Sequence, residues 1–487
     1  RSFPPSLGSF ACIVSSVFAL AEELAIDHPN IASVTLFAED PDIVTPTGIA
    51  VAPDGRVFVQ ENHTHQRPEA YEGPERDRIY IFEDTDGDGV HDTRTLFYEG
   101  LITSTDLLFG PDGSLYATTR WDVFRFPDAA NLSVAAGEPD RIVKCVTESD
   151  YPHNGVSGLA IDPGDPTWLY FGFGENLGYD YAFIGSDGTE LTGGGEGGSS
   201  YRCSFAGTEL ELISTGHWNL FGMTFDLEGG EGACGVIPFG PGELLVASWA
   251  DNRIYRHVLS KKGRSFTADR NLFLSGSNEF RPVHFSYNAE ASEMYFTDWV
   301  LRNYPVHGRG RIWKVQFKEP LDLAPRESGP DLRLTKEEAL ESLADPDPYV
   351  STEAIRVISQ NPVTDWKTLT DPIARAHFAV AMMRSGEKSF EAEIPALLKD
   401  LDEKVAFVAV KWIADELLTE FQPQLLAQID RSHLSRELLF AILATEQILL
   451  GEKPTDTPSS DQLLRLFRDQ SRAPSLRSLA LNLLPPG

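Results

Sequence analysis

The chain has 487 residues, 41% of them hydrophobic and 23% charged, which is enough to bury a large core in more than one domain. Its 73 acidic side chains against 41 basic ones give a formal charge of -32. A surplus of that size repels phosphate backbones and anionic lipid surfaces, so nucleic acid is excluded as a partner.

In chain order, residues 2–21 carry no charge, and the apolar run from Phe10 to Ala21 ends in small residues just before Glu22 and Glu23. That is the pattern of a secretory signal, residues 1–21, cleaved after Ala21. The run is short for a membrane anchor, and no later stretch is long and apolar enough to span a bilayer. An exported protein, periplasmic or extracellular, with no membrane span after signal removal is expected. Beyond the signal, Cys145, Cys203 and Cys234 admit one disulfide but form no C-x-x-C-H, so no covalent haem is expected in this chain.

Residues 22–318 repeat one grammar. Thr47–Val59, Asp106–Thr118, Gly158–Gly172, Gly235–Ala247 and Pro282–Thr297 each join two apolar-alternating runs through a turn, usually of Pro, Asp or Gly, the pattern of a hairpin. A third strand follows each: Arg78–Phe82, Val123–Phe126, Ser200–Cys203, Arg253–His257 and Arg311–Val315. Four strands at a period of roughly 50–60 residues describe propeller blades. A sixth hairpin opens at Gly222, but the next begins at Gly235 and leaves no room for a blade. The expectation is a six-bladed β-propeller with one blade incomplete.

After a linker at 319–333, residues 334–487 change to helical period. Thr335–Leu343 and Tyr349–Ser359 flank an Asp/Pro turn, and Ile394–Lys399 and Lys404–Leu418 flank Asp400-Leu401-Asp402. Helix pairs of this kind predict an α-solenoid of HEAT-like repeats, making the whole a multidomain β + α protein.

Within this frame, Asp84-Thr85-Asp86-Gly87-Asp88-Gly89-Val90-His91-Asp92 supplies carboxylates at positions 1, 3, 5 and 9 of a tight loop. Asp84, Asp86, Asp88 and Asp92, with the Val90 carbonyl, form a hard-oxygen set suited to a structural Ca2+. The bidentate Glu of an EF-hand is replaced by Thr95. A second set comes from register. His63, His65, Arg120, Glu175, Asn176, Trp249, Asp251, Asp298 and Trp299 follow the second strands of successive hairpins, so they are expected to ring one mouth of the central channel. His153, on a loop just ahead of a hairpin, is the candidate general base. The Gly-rich run Thr192–Gly198 lacks the Lys-Ser/Thr of a phosphate loop and reads as a close-approach turn.

His63-Thr64-His65-Gln66-Arg67-Pro68, Asp150-Tyr151-Pro152-His153-Asn154-Gly155, Gly193–Gly198, Gly216-His217-Trp218-Asn219-Leu220-Phe221-Gly222, Phe280-Arg281-Pro282-Val283 and Asp298-Trp299 together resemble the PVC-type haem-binding, membrane-bound dehydrogenase family. Its propeller is similar in turn to the soluble quinoprotein glucose/sorbosone dehydrogenases. The resemblance implies pyrroloquinoline quinone (PQQ) at the channel mouth, with Asn219, Arg281 and Trp218 in its pocket. Trp218 stands where those enzymes carry an arginine. His153 would match the base that takes a sugar hydroxyl proton, and a cytochrome c would serve as electron acceptor. The implied function is a quinoprotein-like sugar or polyol dehydrogenase module of the cell envelope. The alternatives are a non-catalytic module that binds glycan or protein, and glycan cleavage by His153 with Glu61 or Glu175.

Overall fold

The computed structural model describes residues 24–150, 155–162, 165–195, 197–217, 233–263, 265–322, 333–361, 366–431, 433–454 and 457–484. The chain divides into two compact units, one of residues 1–261 and 266–328, the other of residues 262–265 and 329–487.

The first unit is built of strands. Two lead in, β1 (Ala25–Ile26) and β2 (Ile31–Glu39). The first blade is β3 (Pro46–Val51), β4 (Val57–Glu61), β5 (Asp77–Glu83) and β6 (Thr93–Leu101), paired in that order. The second is β7 (Ser104–Phe109), β8 (Leu115–Thr119), β9 (Asp122–Phe126) and β10 (Asp140–Thr147). The third takes β11 (Val156–Asp162) and β12 (Asp165–Phe173). A hairpin, β13 (Gly178–Gly185) and β14 (Glu190–Gly195), then leaves to pair on β10 and widens the second blade to six strands. The chain returns for β15 (Gly198–Ser204) and β16 (Glu211–His217), which complete the third blade. Two more blades follow. One has β17 (Ala233–Gly240), β18 (Glu243–Ser248), β19 (Arg253–Lys262) and β20 (Ser265–Ser275), edged by β1; the other has β21 (Pro282–Asn288), β22 (Glu293–Asp298) and β23 (Arg311–Phe317), edged by β2.

Five antiparallel blades are thus present among the described residues, each led by a sequence-expected hairpin and its third strand. The sixth hairpin, from Gly222, lies outside them. Innermost strands neighbour one another in series, β17 beside β21, β21 beside β3, β3 beside β7 and β7 beside β11. Alternation puts apolar side chains on both faces of each blade, so the cores lie between blades. One joins Phe58, Ile79 and Phe97 to Leu107 and Leu115. Another joins Val123 and Val143 to Leu169 and Phe171. Gly48 makes the close approach of β3 to β7 feasible: a Cβ there would sit 2.6 Å from the Leu107 nitrogen and 2.7 Å from the Asp106 carbonyl carbon.

Two local expectations change. Gly193, Gly194 and Gly195 belong to strand β14, where Gly193 lies against the Tyr181 ring, so much of the Gly-rich run is strand and not turn. No disulfide joins Cys145, Cys203 and Cys234.

The second unit holds nine α-helices among the described residues: α1 (Lys336–Ser342), α2 (Pro348–Gln360), α3 (Pro372–Ser385), α4 (Ile394–Leu398), α5 (Glu403–Asp415), α6 (Gln422–Ala427), α7 (Arg436–Leu449), α8 (Ser460–Arg468) and α9 (Pro474–Asn482). Most of their starts carry side-chain caps: Thr335 and Glu338 form a capping box, and Asp347 and Asp371 cap helices that carry Pro at N1. α1 packs on α2, α2 on α3, α3 on α5 and α5 on α7, around a core that includes Phe378, Leu397, Trp412 and Leu439. No helix among the described residues is long and apolar enough to cross a membrane.

Candidate functional site

The mouth residues follow from strand register. Pro46 pairs with Glu61, Ser104 with Thr119, Val156 with Phe173, Ala233 with Ser248 and Pro282 with Asp298. Each pair joins the first residue of an inner strand to the last, or nearly the last, residue of its hairpin partner. The segments that follow, Asn62-His63, Arg120-Trp121, Glu175-Asn176, Trp249-Ala250 and Trp299-Val300, are therefore equivalent in their blades and leave at one end of the channel.

Equivalent position does not mean equal exposure. Asp298 is fully buried: Oδ1 accepts from the Arg281 and Val300 amides at 2.7 and 2.9 Å, and Oδ2 from Trp313 Nε1 at 3.0 Å and Arg311 Nη1 at 3.2 Å. Burial raises its proton affinity, opposed by Arg311 and these donors. Asp298 is thus a packing hub under the mouth. Asn176 is likewise buried and donates to Thr147 Oγ1 and the Tyr179 carbonyl, each at 3.0 Å. Glu175 is buried with its Oε2 accepting from the Gly197 amide. Asp251 accepts from Ser248 Oγ at 2.8 Å.

Arg120, Trp249 and His65 are half-buried, as is Asp251. Arg120 lies 4.2 Å over the Trp121 ring, and burial lowers its proton affinity. Trp249 stacks on Tyr304 at 5.2 Å and 11°, with Tyr304 54% exposed. Tyr304 belongs to the β22–β23 connection, which reaches the first blade where the Val306 amide donates to the His65 carbonyl at 3.3 Å. In the same connection Trp299 meets His307 edge-on at 5.1 Å, and burial pushes the His307 imidazole down to about 4.

The β4–β5 connection carries a further chain of groups. Glu61 Oε2 lies 2.8 Å from His63 Nε2, and His63 Nδ1 lies 2.8 Å from Tyr71 Oη. Glu61 and His63 are each 2% exposed, while Tyr71 reaches the surface. Asp77, fully buried, fixes this segment by accepting from the His63 amide at 2.7 Å and Thr64 Oγ1 at 2.9 Å. Arg67 stacks 4.9 Å over the Tyr71 ring and donates to the carbonyls of His63, Tyr71 and Gly73. Reading by register reached His63 but not Tyr71, Asp77 or Arg67, because those lie inside a connection without periodicity.

His153, Trp218 and Asn219 lie outside the described residues. Arg281, expected in the quinone pocket, is 2% exposed and points inward: Nη1 donates to the Trp249 and Ala250 carbonyls at 2.9 and 3.3 Å, and Nη2 to the Asn278 carbonyl at 3.1 Å. It holds two mouth loops together and does not offer its charge to an anionic ligand. Of the three residues assigned to PQQ, the one described therefore does not fit the group.

In the acidic loop, Asp84, Asp86 and Asp88 bring one oxygen each to within 4.8 Å of one another, which fits a hard cation. Asp92 is turned to other work: its Oδ2 accepts from the Thr85 amide and Thr85 Oγ1, both at 2.6 Å, and it stands apart from that group. The Val90 amide donates to Asp88 Oδ1 at 2.8 Å.

A domain of unknown function, DUF7133, matches residues 23–232. Its description names no haem, so the haem-binding resemblance stays a reading of the motifs. No curated protein matches the chain. Similar solved structures include a candidate gluconolactonase, 13% identical, covering 62% of this chain and 100% of its own at a TM-score of 0.37. A candidate oxidoreductase (glucose dehydrogenase) of Thermus thermophilus is 16% identical, with 58% and 99% covered and a TM-score of 0.28. A calcium-binding protein, regucalcin, of Agrobacterium tumefaciens is 12% identical, with 58% and 94% covered and a TM-score of 0.32.

Proposed function

We propose that the propeller mouth binds a sugar or polyol and oxidises one of its hydroxyl groups. The observation that carries this reading is the Trp249–Tyr304 stack, which presents an aromatic platform on a rim shared with Arg120 and His65. Sugar rings pack their C–H faces on such platforms while polar rim groups meet their hydroxyls. The motif resemblance to quinoprotein sugar dehydrogenases supports oxidation, and assigns the base to His153. Because Arg281 does not fit PQQ, the hydride acceptor in this reading is a diffusible quinone, which a cytochrome c can reoxidise one electron at a time. Calcium at Asp84, Asp86 and Asp88 is proposed as structural, and the apolar run from Phe10 to Ala21 supports export to the cell envelope.

A panel of sugars and polyols, with a quinone-type dye as acceptor, tests the reading. Turnover is expected, and Trp249→Ala should raise KM about tenfold, equivalent to ~1.4 kcal/mol. The variant keeps the backbone carbonyl that Arg281 holds. Absence of both binding and dye reduction across the panel would remove the proposal.

A further inference from the structure

We propose that Tyr71 is the group that takes the substrate proton, acting through a Tyr71–His63–Glu61 relay at the mouth of the first blade. The inference rests on the sugar or polyol reading for its substrate, and assigns to Tyr71 the role that motif resemblance gives His153.

Three features of the geometry carry it. The chain of contacts is continuous and short, 2.8 Å from phenol to imidazole and 2.8 Å from imidazole to carboxylate. One tautomer gives it direction: a Glu61 carboxylate, whose Oε1 already accepts from the Val44 amide at 2.9 Å, takes the N–H of Nε2 on its Oε2, which leaves Nδ1 to accept from Tyr71. Exposure is graded along it, with Glu61 and His63 sealed and Tyr71 half-buried. A carboxylate that orients an imidazole, which in turn accepts from a hydroxyl, is the arrangement by which a weak acid is made an effective proton acceptor.

The phenol also stays protonated at rest. Burial raises the Tyr71 proton affinity, and the Glu61 charge adds to that; Arg67 opposes both. Tyr71 therefore works by concerted transfer and not as a standing phenolate. In the proposed step the substrate O–H breaks and its proton bonds to Tyr71 Oη. The proton already on Oη moves to His63 Nδ1, and the imidazolium is balanced by the Glu61 carboxylate. The C–H hydride of the same carbon passes to the quinone-class acceptor, leaving a carbonyl. Tyr71 is the catalytic residue; His63 and Glu61 are positioning residues that act through it.

A purely structural tie would use the same contacts to hold the loop, so the test must read reactivity. N-acetylimidazole transfers an acetyl group to tyrosine Oη, with the phenol proton going to a base and imidazole leaving. By exposure alone, Tyr304 at 54% and Tyr349 at 48% should react before half-buried Tyr71. The relay predicts the reverse, with Tyr71 in the wild-type chain acetylated at least about tenfold faster than either, as mapped by peptide mass spectrometry. Equal or slower reaction at Tyr71 would overturn the relay, whatever the sugars do.

The second arm uses Tyr71→Phe, which keeps the ring under Arg67 and removes only the hydroxyl. With any substrate the wild type turns over, kcat should fall about 100-fold or more while KM changes little. Full retention of kcat would overturn the relay. Fast acetylation of Tyr71 with no turnover or protection by any sugar or polyol would instead sink the substrate reading and leave the relay standing.

Discussion

His284 and Asp106 show how much a single pair can hold. His284 Nε2 lies 2.8 Å from Asp106 Oδ1, although one residue is on β21, the other on β7, and β3 runs between them. Asp106 Oδ2 accepts from the Leu159 amide of β11 at 2.7 Å, and the Ile49 amide of β3 lies 3.4 Å from His284 Nδ1. One pair thus touches four innermost strands. Burial disfavours the imidazolium, but the adjacent Asp106 carboxylate outweighs it and holds His284 above its ordinary value. A raised folded-state value gives stability that is fully present below the unfolded imidazole value of 6.5 and is lost as pH rises through the folded one. His284→Gln should therefore cost about 1–3 kcal/mol in urea unfolding at pH 6 and less at pH 9. An equal cost at both pH values would mean the pair carries no charge. Sequence reading placed His284 inside the last hairpin but had no means of pairing it with a residue on another blade.

At the scale of the element, packing tolerances decide what can change. Gly48→Ala would drive a methyl into backbone atoms of β7 that cannot yield, so a loss of about 1–3 kcal/mol is expected, seen as a lowered propeller melting transition. In the helical unit, Arg375 of α3 grips Asp400, ahead of α5, through Nε–Oδ2 at 2.8 Å and Nη2–Oδ1 at 3.0 Å. Burial raises the proton affinity of Asp400, but Arg375 and the Asp402 amide outweigh it and the net value falls. A lowered carboxylate contributes stability above its unfolded value that disappears as pH falls through the folded one. Asp400→Asn should cost about 1–3 kcal/mol at neutral pH and progressively less toward acid, by denaturant unfolding followed by circular dichroism. The helix starts at Thr335, Asp347 and Asp402 were legible beforehand, because caps and turns are written within a few residues of one another.

At the scale of the whole propeller, the last blade is completed from the amino-terminal side of the chain. β2 pairs with β23 from Ile31–Phe317 to Glu39–Arg311, so an early strand edges the last blade. The acidic loop of the first blade sits at that seam: the His91 amide donates to the Phe37 carbonyl at 3.1 Å, and Lys314 of β23 lies 3.3 Å from Asp84. A cation held by Asp84, Asp86 and Asp88 would draw together a loop that already touches both closing strands. Calcium at 100 times its dissociation constant should then raise propeller stability by about 2.7 kcal/mol, and Asp86→Asn should abolish the shift in scanning calorimetry. An unchanged transition with saturating calcium would show that Lys314 already supplies the charge the loop needs.

The amino-acid sequence by itself determined the hairpins, their third strands, the switch to helical period and the equivalence of the mouth positions. Those follow from alternation, turn chemistry and capping, all of which act over a few residues. Only the tertiary structure decided that β13 and β14 join the second blade, that β2 closes the last, that Arg281 faces inward, and that Tyr71 meets His63. Each of these depends on contacts made in space between segments whose local patterns are silent about their partners, so no periodicity could announce them.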